Sequence, residues 1–293
     1  MPAYASWPVN EITTADIQER LASFGVSVKT QKNYLRPLRG TLKHAGINPN
    51  PADAVEWPRA ARGKTRNKRR QRYSIAERDG LLQRLEALAI KHKQLALEKP
   101  SQKTLTDAHW SEQAALYFRL MFGLGTRPGE LLALTNRHYD GAFMWIEGQF
   151  VRSKYHDETK TGHSRRVYVP QALRPHLDEH PSRFDKGPIM RAYNGGPLKD
   201  TKRLNPWWKE AHTAERIPYR DPYTCRHTRA AELLSQGVGA AEGAYQLGHS
   251  VSMFMELYSE FIEEYRGEQD WSRFEIAATQ TPHRTAAKKR KAR

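Results

Sequence analysis

The chain has 293 residues, which is long enough for one large or two modest domains with a real hydrophobic core. It contains no apolar run of about 18 residues and no charged-then-apolar leader, so we expect a soluble protein in the cytoplasm, on the nucleoid if the source is bacterial. A single cysteine, Cys225, excludes an internal disulfide framework and a cysteine-rich zinc site.

The formal net charge of +16 is concentrated in two short segments. Residues 59–72 contain eight basic residues and no acidic one, and residues 284–293 contain six and no acidic one, which leaves only +2 for the rest of the chain. Such concentration indicates that the chain contacts a polyanion; the simpler interpretation is a solvated linker and a solvated tail. In the first segment the predicted contacts are Arg59, Arg62, Lys64, Arg66, Lys68, Arg69, Arg70 and Arg72.

Two helices are predicted before residue 58. A capping pattern at residues 13–16 begins a helix that runs to about Ser23. The second helix is predicted from the helical spacing of Leu35, Leu38, Leu42 and Ala45. Pro37 is unfavourable in this helix unless it lies near the first turn or at a kink. Residues 1–58 therefore form a short helical domain, and a truncated amino terminus is one explanation for its size.

Residues 59–73 are predicted to be an extended basic linker, residues 74–276 a second domain, and residues 277–293 a basic, disordered tail. The second domain begins with a capping box, Ser74 to Glu77. We interpret the Lys- and Gln-rich stretch 92–108 as an exposed insertion.

The remaining pattern of the second domain is mostly helical. We predict a buried helix at about 111–123, a turn at 123–126 and a helix begun by Pro128. Strands follow at 143–152 and 165–169, and the pattern is helical again over 222–276. The predicted fold class is mostly α with a small antiparallel β-sheet.

Five polar residues of this domain lie in an ordered series of motifs. They are Arg127 in RPGEL, Lys160 in TKTG, Arg226 in CRHT, His249 in LGHS, and Tyr258 nine positions after the histidine. Their order and spacing resemble the tyrosine recombinase (phage integrase) family, including the 23-residue step from the second arginine to the histidine. The resemblance covers residues 74–276 well and residues 11–58 loosely.

These residue types suit the cleavage of a phosphodiester. Arg127 and Arg226 can neutralise the non-bridging oxygens, because the planar guanidinium donates two hydrogen bonds and keeps its charge. Lys160 can give a proton to the departing 5′-oxygen. His249 can bind the phosphate or assist proton transfer. Tyr258 supplies the nucleophile and needs local activation, because a free phenol has a pKa of about 10.

The resemblance implies further properties. The fold would be a recombinase catalytic domain preceded by a short core-DNA-binding domain, with Glu130 orienting Arg127. The enzyme would act as a homotetramer on double-stranded DNA, through a 3′-phosphotyrosyl link and without metal, ATP or other cofactor. It would integrate or excise a mobile element, and DNA-bending or directionality proteins are conceivable partners.

One position departs from the family pattern. Tyr223 stands where the family usually has the histidine of its second motif, three residues before Arg226. General-base duty at that position is therefore open. His227, the next residue after Arg226, is expected to point elsewhere on the helix and to be structural.

Other interpretations remain open at this point. Taken singly, Arg127 with Glu130 is a surface ion pair, Lys160 an exposed turn residue, and His249 with Tyr258 core or boundary residues. The alternative function is a catalytically impaired or regulatory DNA-binding relative, and a topoisomerase with the same chemistry is a weaker third. Among other site types, the chain has no HExxH zinc motif and no correctly spaced dinucleotide loop.

Overall fold

The structure is a computed structural model that describes residues 8–58, 72–158 and 164–264. The chain divides into two compact units, Met1–Lys68 and Arg69–Arg293. The predicted tail at 277–293 lies outside the described residues.

The first unit contains two helices, α1 (Thr14–Ser23) and α2 (Val28–His44). Thr13 and Asp16 form the capping box of α1, as predicted. Pro37 lies in the middle of α2 rather than in its first turn, because Ser27 caps the helix well before it. The small core of this unit is formed by Ile12, Ile17, Leu21, Leu35, Leu42, Ala52 and Val55.

Two long helices, α3 (Ile75–Glu98) and α4 (Gln102–Leu124), begin the described part of the second unit. The capping box at Ser74 is confirmed. The stretch 92–108 is mostly exposed, as predicted, but its helical structure was not predicted: α3 continues to Glu98 and Ser101 caps α4 almost at once. Lys, Gln, Ala and Leu are good helix formers, so this polar stretch extends two helices without an apolar face to reveal it.

Four short strands lie between the helices of the described part of this unit. β1 (Phe143–Ile146) pairs antiparallel with β4 (Arg165–Tyr168), and β2 (Gln149–Val151) with β3 (Lys154–His156). The segment predicted as one strand, 143–152, is two strands interrupted at Gly148, and β3 was not predicted. The predicted fold class, mostly α with a small antiparallel sheet, is confirmed.

Six further helices complete the described part of the second unit. They are α5 (Pro128–Leu132), α6 (Arg174–Asp178), α7 (Asn205–Ala214), α8 (Thr224–Ser235), α9 (Ala240–Leu247) and α10 (Val251–Glu264). The main core gathers around Trp208, whose indole stacks on Phe118 at 3.9 Å between ring centroids. A second apolar cluster joins α8, α9 and α10 and includes Leu247, Phe254 and Tyr258. None of the helices in the described ranges is long and apolar enough to cross a membrane.

Candidate active site

The RPGE motif forms the tight entry to α5. Arg127 is the N-cap residue, and Pro128 occupies the first helical position, where its missing N–H costs no hydrogen bond. Gly129 packs on β2: a Cβ there would lie 2.3 Å from the Phe150 carbonyl oxygen, so a larger residue does not fit. The motif thereby fixes Arg127 and Glu130 on adjoining sides of one turn.

Glu130 is a fully buried carboxylate held by two arginines. It accepts from Arg127 Nη1 over 2.8 Å and from the Arg127 backbone N–H over 2.9 Å. Arg165 binds it as a fork, with Nη1 at 3.1 Å and Nη2 at 2.7 Å. Burial alone would raise the pKa of Glu130, but hydrogen bonds and charge from Arg165 and Arg127 lower it to about 2. Glu130 is therefore ionised at neutral pH and orients Arg127.

The turn from α9 to α10 connects the two predicted catalytic arginines. Gly248 ends α9 in the left-handed region at φ +67°, where glycine is favoured, and this exposes the last carbonyl groups of the helix. Arg127 Nη2 donates to the Gly248 carbonyl over 2.7 Å, and Arg226 Nη2 donates to the Leu247 carbonyl. The structure thus brings Arg127 and Arg226 to the same short turn.

Arg226 is fully buried on α8. Its Nη1 donates to the Gly125 carbonyl over 2.7 Å, and Nη2 also lies 2.7 Å from His249 Nε2. Burial lowers the pKa of Arg226 to about 10, opposed by the nearby Tyr223, so the guanidinium stays charged at neutral pH. Its Nε is buried without a hydrogen-bond partner in the described part of the protein.

His249 is neutral in this arrangement. Burial and the positive charges of Arg226 and Arg127 lower its pKa to about 3. A neutral imidazole accepts at Nε2 from Arg226 only if its proton is on Nδ1. That Nδ1 is buried and has no partner among the described residues. His249 is therefore a neutral hydrogen-bond donor through Nδ1 rather than a cation.

Tyr258 lies in the apolar cluster of α8, α9 and α10 and is fully buried. Its ring is nearly parallel to that of His249, with 6.2 Å between centroids, and it contacts Phe254 at 5.0 Å. Its Oη lies 2.9 Å from His227 Nδ1. The expectation that His227 points away from the site is wrong, because α10 packs on α8 and His227 reaches the Tyr258 hydroxyl.

Tyr223 lies at the beginning of α8, one helical turn before His227. Its ring meets that of His227 edge-on at 5.3 Å, and Arg226 Cζ lies 6.0 Å from its ring centroid. It therefore packs beside the arginine and the imidazole.

The cluster has a positive excess. Arg127, Arg165 and Arg226 face a single carboxylate, Glu130, so the group is suited to an anion. In the described ranges, no group of three or more His, Cys, Asp or Glu side chains is placed to hold a metal ion.

Two of the predicted sets lie wholly or mostly outside the described residues. Lys160 belongs to the undescribed segment 159–163, and its role as proton donor stays a prediction. Of the predicted DNA contacts in 59–72, only Arg72 belongs to the described residues; Arg59, Arg62, Lys64, Arg66, Lys68, Arg69 and Arg70 do not.

Sequence reasoning missed two residues of the cluster. Arg165 is in phase with Val167 on the inward face of β4, so a charged residue on an apolar strand face was the available signal. His227 lies four positions after Tyr223, so the two residues share one face of a helix; this spacing could have placed His227 beside Tyr223.

Known proteins share parts of this sequence and this geometry. No family model matches the sequence. A "Tyrosine recombinase XerC-like" protein of Caldanaerobacter subterraneus subsp. tengcongensis is 27% identical over 191 residues, covering 55% of this chain and 49% of the relative. The chain thus spans about half the length of the curated relative it matches.

Solved integrase structures share the fold. The Tn1549 transposon integrase bound to a circular intermediate DNA has a TM-score of 0.61 at 18% identity, covering 86% of this chain and 82% of that one. Lambda integrase matches as a dimer on a core site, with a TM-score of 0.55, 18% identity and coverage of 84% and 82%. It also matches as a tetramer on a Holliday junction, with a TM-score of 0.54, 16% identity and coverage of 82% and 65%.

The fold is therefore that of the integrases. In sequence the chain is similar to a tyrosine recombinase, and in fold it is similar to solved integrases.

Proposed function

We propose that this chain is a site-specific DNA strand transferase that cleaves and rejoins DNA through a 3′-phosphotyrosyl intermediate, integrating or excising a mobile element. One observation carries the proposal. Arg127 and Arg226 are bound to consecutive carbonyl groups of the turn at 247–249, and Tyr258 lies against the histidine of that same turn.

The proposed phosphate site is formed by the two arginines and His249. Their positive charge would neutralise the non-bridging oxygens as charge develops in the transition state. Arg226 Nε and His249 Nδ1 are buried N–H groups without a partner in the described residues, and a phosphate oxygen would accept from them. Glu130 and Arg165 would keep Arg127 in place during the reaction.

The proposed step exchanges one phosphoester bond for another. Tyr258 Oη attacks the phosphorus, the bond to the 5′-oxygen breaks, and Lys160 gives a proton to that oxygen. Because the phosphotyrosyl bond conserves the linkage, rejoining would need neither ATP nor metal. Tyr258 and Arg226 are fully buried, so the groups that cover them must move before a DNA phosphate can reach them.

The proposed partner is double-stranded DNA. The basic segment 59–72 would contact the backbone, and the protein would assemble as a homotetramer, with DNA-bending or directionality proteins as further candidates. Support comes from the charge of this segment and from lambda integrase, which forms a tetramer on a Holliday junction.

A second candidate function is DNA binding without cleavage. Two observations favour it: Tyr223 occupies the place of the expected histidine, and the Tyr258 hydroxyl is fully buried. In that case the protein would hold its site and release it unchanged.

Trapping of a covalent adduct separates these functions. A duplex library with a randomised segment and a nick is incubated with the protein, so that cleavage releases a short fragment and cannot be reversed. A denaturant-stable protein–DNA adduct, absent from Tyr258→Phe, is expected of the transferase. DNA binding without any adduct would support the second function.

A further inference from the structure

His227 places an imidazole against the oxygen that the proposed function uses as nucleophile. Its Nδ1 lies 2.9 Å from Tyr258 Oη, and the two rings are 5.9 Å apart. His227 directly follows Arg226 on α8, so one helical turn carries both the phosphate-binding guanidinium and this imidazole. A proton acceptor must lie within hydrogen-bond reach of the proton that it removes, and His227 does so in this structure.

The neighbouring groups are less suited to accept this proton. His249 Nε2 already accepts from Arg226 at 2.7 Å, and its remaining nitrogen must then carry a proton. Tyr223 carries a phenol, whose neutral oxygen is a poor proton acceptor compared with an imidazole nitrogen. Among these side chains, His227 alone combines contact with Oη and a nitrogen that is basic near neutral pH.

We propose that His227 is the proton acceptor that activates Tyr258. Tyr223 occupies the position of the expected histidine, and His227, one helical turn further along α8, takes the role instead. This rests on the proposed function. As Oη bonds to phosphorus, its proton passes to His227 Nδ1, while the 5′-oxygen leaves with a proton from Lys160. In rejoining, the 5′-hydroxyl returns its proton to the lysine and His227 returns its own to the tyrosine, so the cycle balances.

Tyr223 is then a positioning residue. Its ring meets the imidazole edge-on at 5.3 Å and limits rotation of His227 away from Oη. In the described part of the chain, the charged or titratable groups that face His227 include Tyr223 and Arg226 on α8, Tyr258 on α10 and His249 from the turn before α10. Because only unprotonated His227 can accept, the cleavage rate should rise with pH through the titration of His227 and then level off.

The test measures single-turnover cleavage of a nicked duplex, selected from the randomised library by its adduct with the unaltered protein. His227→Asn keeps a hydrogen-bond acceptor near the Nδ1 position but has no basic nitrogen, whereas His227→Ala removes both. His176→Asn, a half-buried histidine on α6 outside the site, is the matched control. Thermal unfolding and DNA affinity are measured for every variant.

The expected result is a decrease of about 10²- to 10⁴-fold in cleavage rate for both His227 variants, the range for a general base. DNA affinity should stay unchanged, and the rise of rate with pH should disappear. A more acidic fluorinated tyrosine at position 258 should restore part of the rate in His227→Asn, because it needs less help to lose its proton.

Each other outcome has a distinct meaning. Full activity of His227→Asn with an inactive His227→Ala would show that the contact only positions Tyr258, and would overturn the proposal. An unaltered pH profile in either variant would overturn it as well. No adduct with the unaltered protein would overturn the proposed function itself, and the role of His227 with it.

Discussion

Glu130→Gln tests the buried carboxylate that positions Arg127. The pKa of Glu130 is about 2 against an ordinary 4.5, and one pKa unit corresponds to about 1.36 kcal/mol. The ionised carboxylate, after the cost of its burial is offset by Arg165 and Arg127, therefore contributes a net of about 3 kcal/mol to the free energy of unfolding at neutral pH. Glutamine would also leave Arg165 buried without its counter-charge, and breaking such a pair costs about 3–5 kcal/mol. We expect a loss of about 3–4 kcal/mol at pH 7.

The loss should depend on pH in a defined direction. Because the folded-state pKa is below the ordinary value, this stabilisation is complete above about pH 4.5 and disappears as the pH falls towards about 2. The difference between the unaltered protein and Glu130→Gln should therefore shrink by more than about 1 kcal/mol between about pH 6 and pH 3.5.

Urea unfolding followed by tryptophan fluorescence measures this difference. Trp7 and Trp57 are the two tryptophans of Met1–Lys68, so five of the seven report on the unit that contains Glu130. Glu86→Gln is the matched control: its 2.9 Å pair with Arg119 is half exposed, and its removal should cost less than about 1 kcal/mol.

A double variant completes the comparison. Arg165→Met combined with Glu130→Gln should recover part of the lost stability, because the second change removes the unpaired buried charge. A loss below about 1 kcal/mol for Glu130→Gln, or one that is constant with pH, would refute the role assigned to this carboxylate.

Three further results are expected. Gly248→Ala should destabilise the protein by at least about 1 kcal/mol in urea unfolding. The reason is that φ at this position is +67° and the new Cβ would lie 2.8 Å from Arg165 Cζ. Unchanged stability would contradict the packing of this turn. Tyr73→Phe removes the hydroxyl that lies 2.9 Å from His212 Nε2 and should cost about 1–2 kcal/mol, whereas a neutral outcome would show that this buried hydrogen bond is not formed. Replacing the basic residues of 59–72 by glutamine should weaken binding to all DNA sequences. The slope of log affinity against log salt concentration should become less steep by about 0.9 for each phosphate that is no longer neutralised. An unchanged slope, measured by fluorescence anisotropy, would show that this segment does not contact DNA.

The helix caps and the RPGE turn could be predicted from sequence because their causes are local. A serine three residues before a glutamate, followed by apolar residues, is a sequence signature of a helix start, and proline prefers the first helical position. The helical structure of 92–108 was not predicted because the polar side chains of this stretch hide the helical period. The fold class could be predicted from the same local signals together with two short segments in which apolar and polar residues alternate.

The environment of the site depends on packing between distant segments. Arg165 lies 35 positions after Glu130 and meets it only in the folded chain, where β4 packs on α9 and α5 packs on β2. His227 reaches Tyr258, 31 positions away, because α10 packs on α8. The sequence pattern predicted which residue types were present, but interactions of this range require the fold.

Identification of the residue that bonds to DNA tests the central claim most directly. The adduct is isolated under denaturing conditions, trimmed with nuclease, and digested after glutamate, so that cuts after Glu256 and Glu260 leave the short peptide Leu257-Tyr258-Ser259-Glu260. Mass spectrometry should find a nucleotide attached to Tyr258 through its 3′-phosphate. Finding it on another residue, such as Tyr245, or finding a denaturant-stable adduct that Tyr258→Phe still forms, would contradict the account.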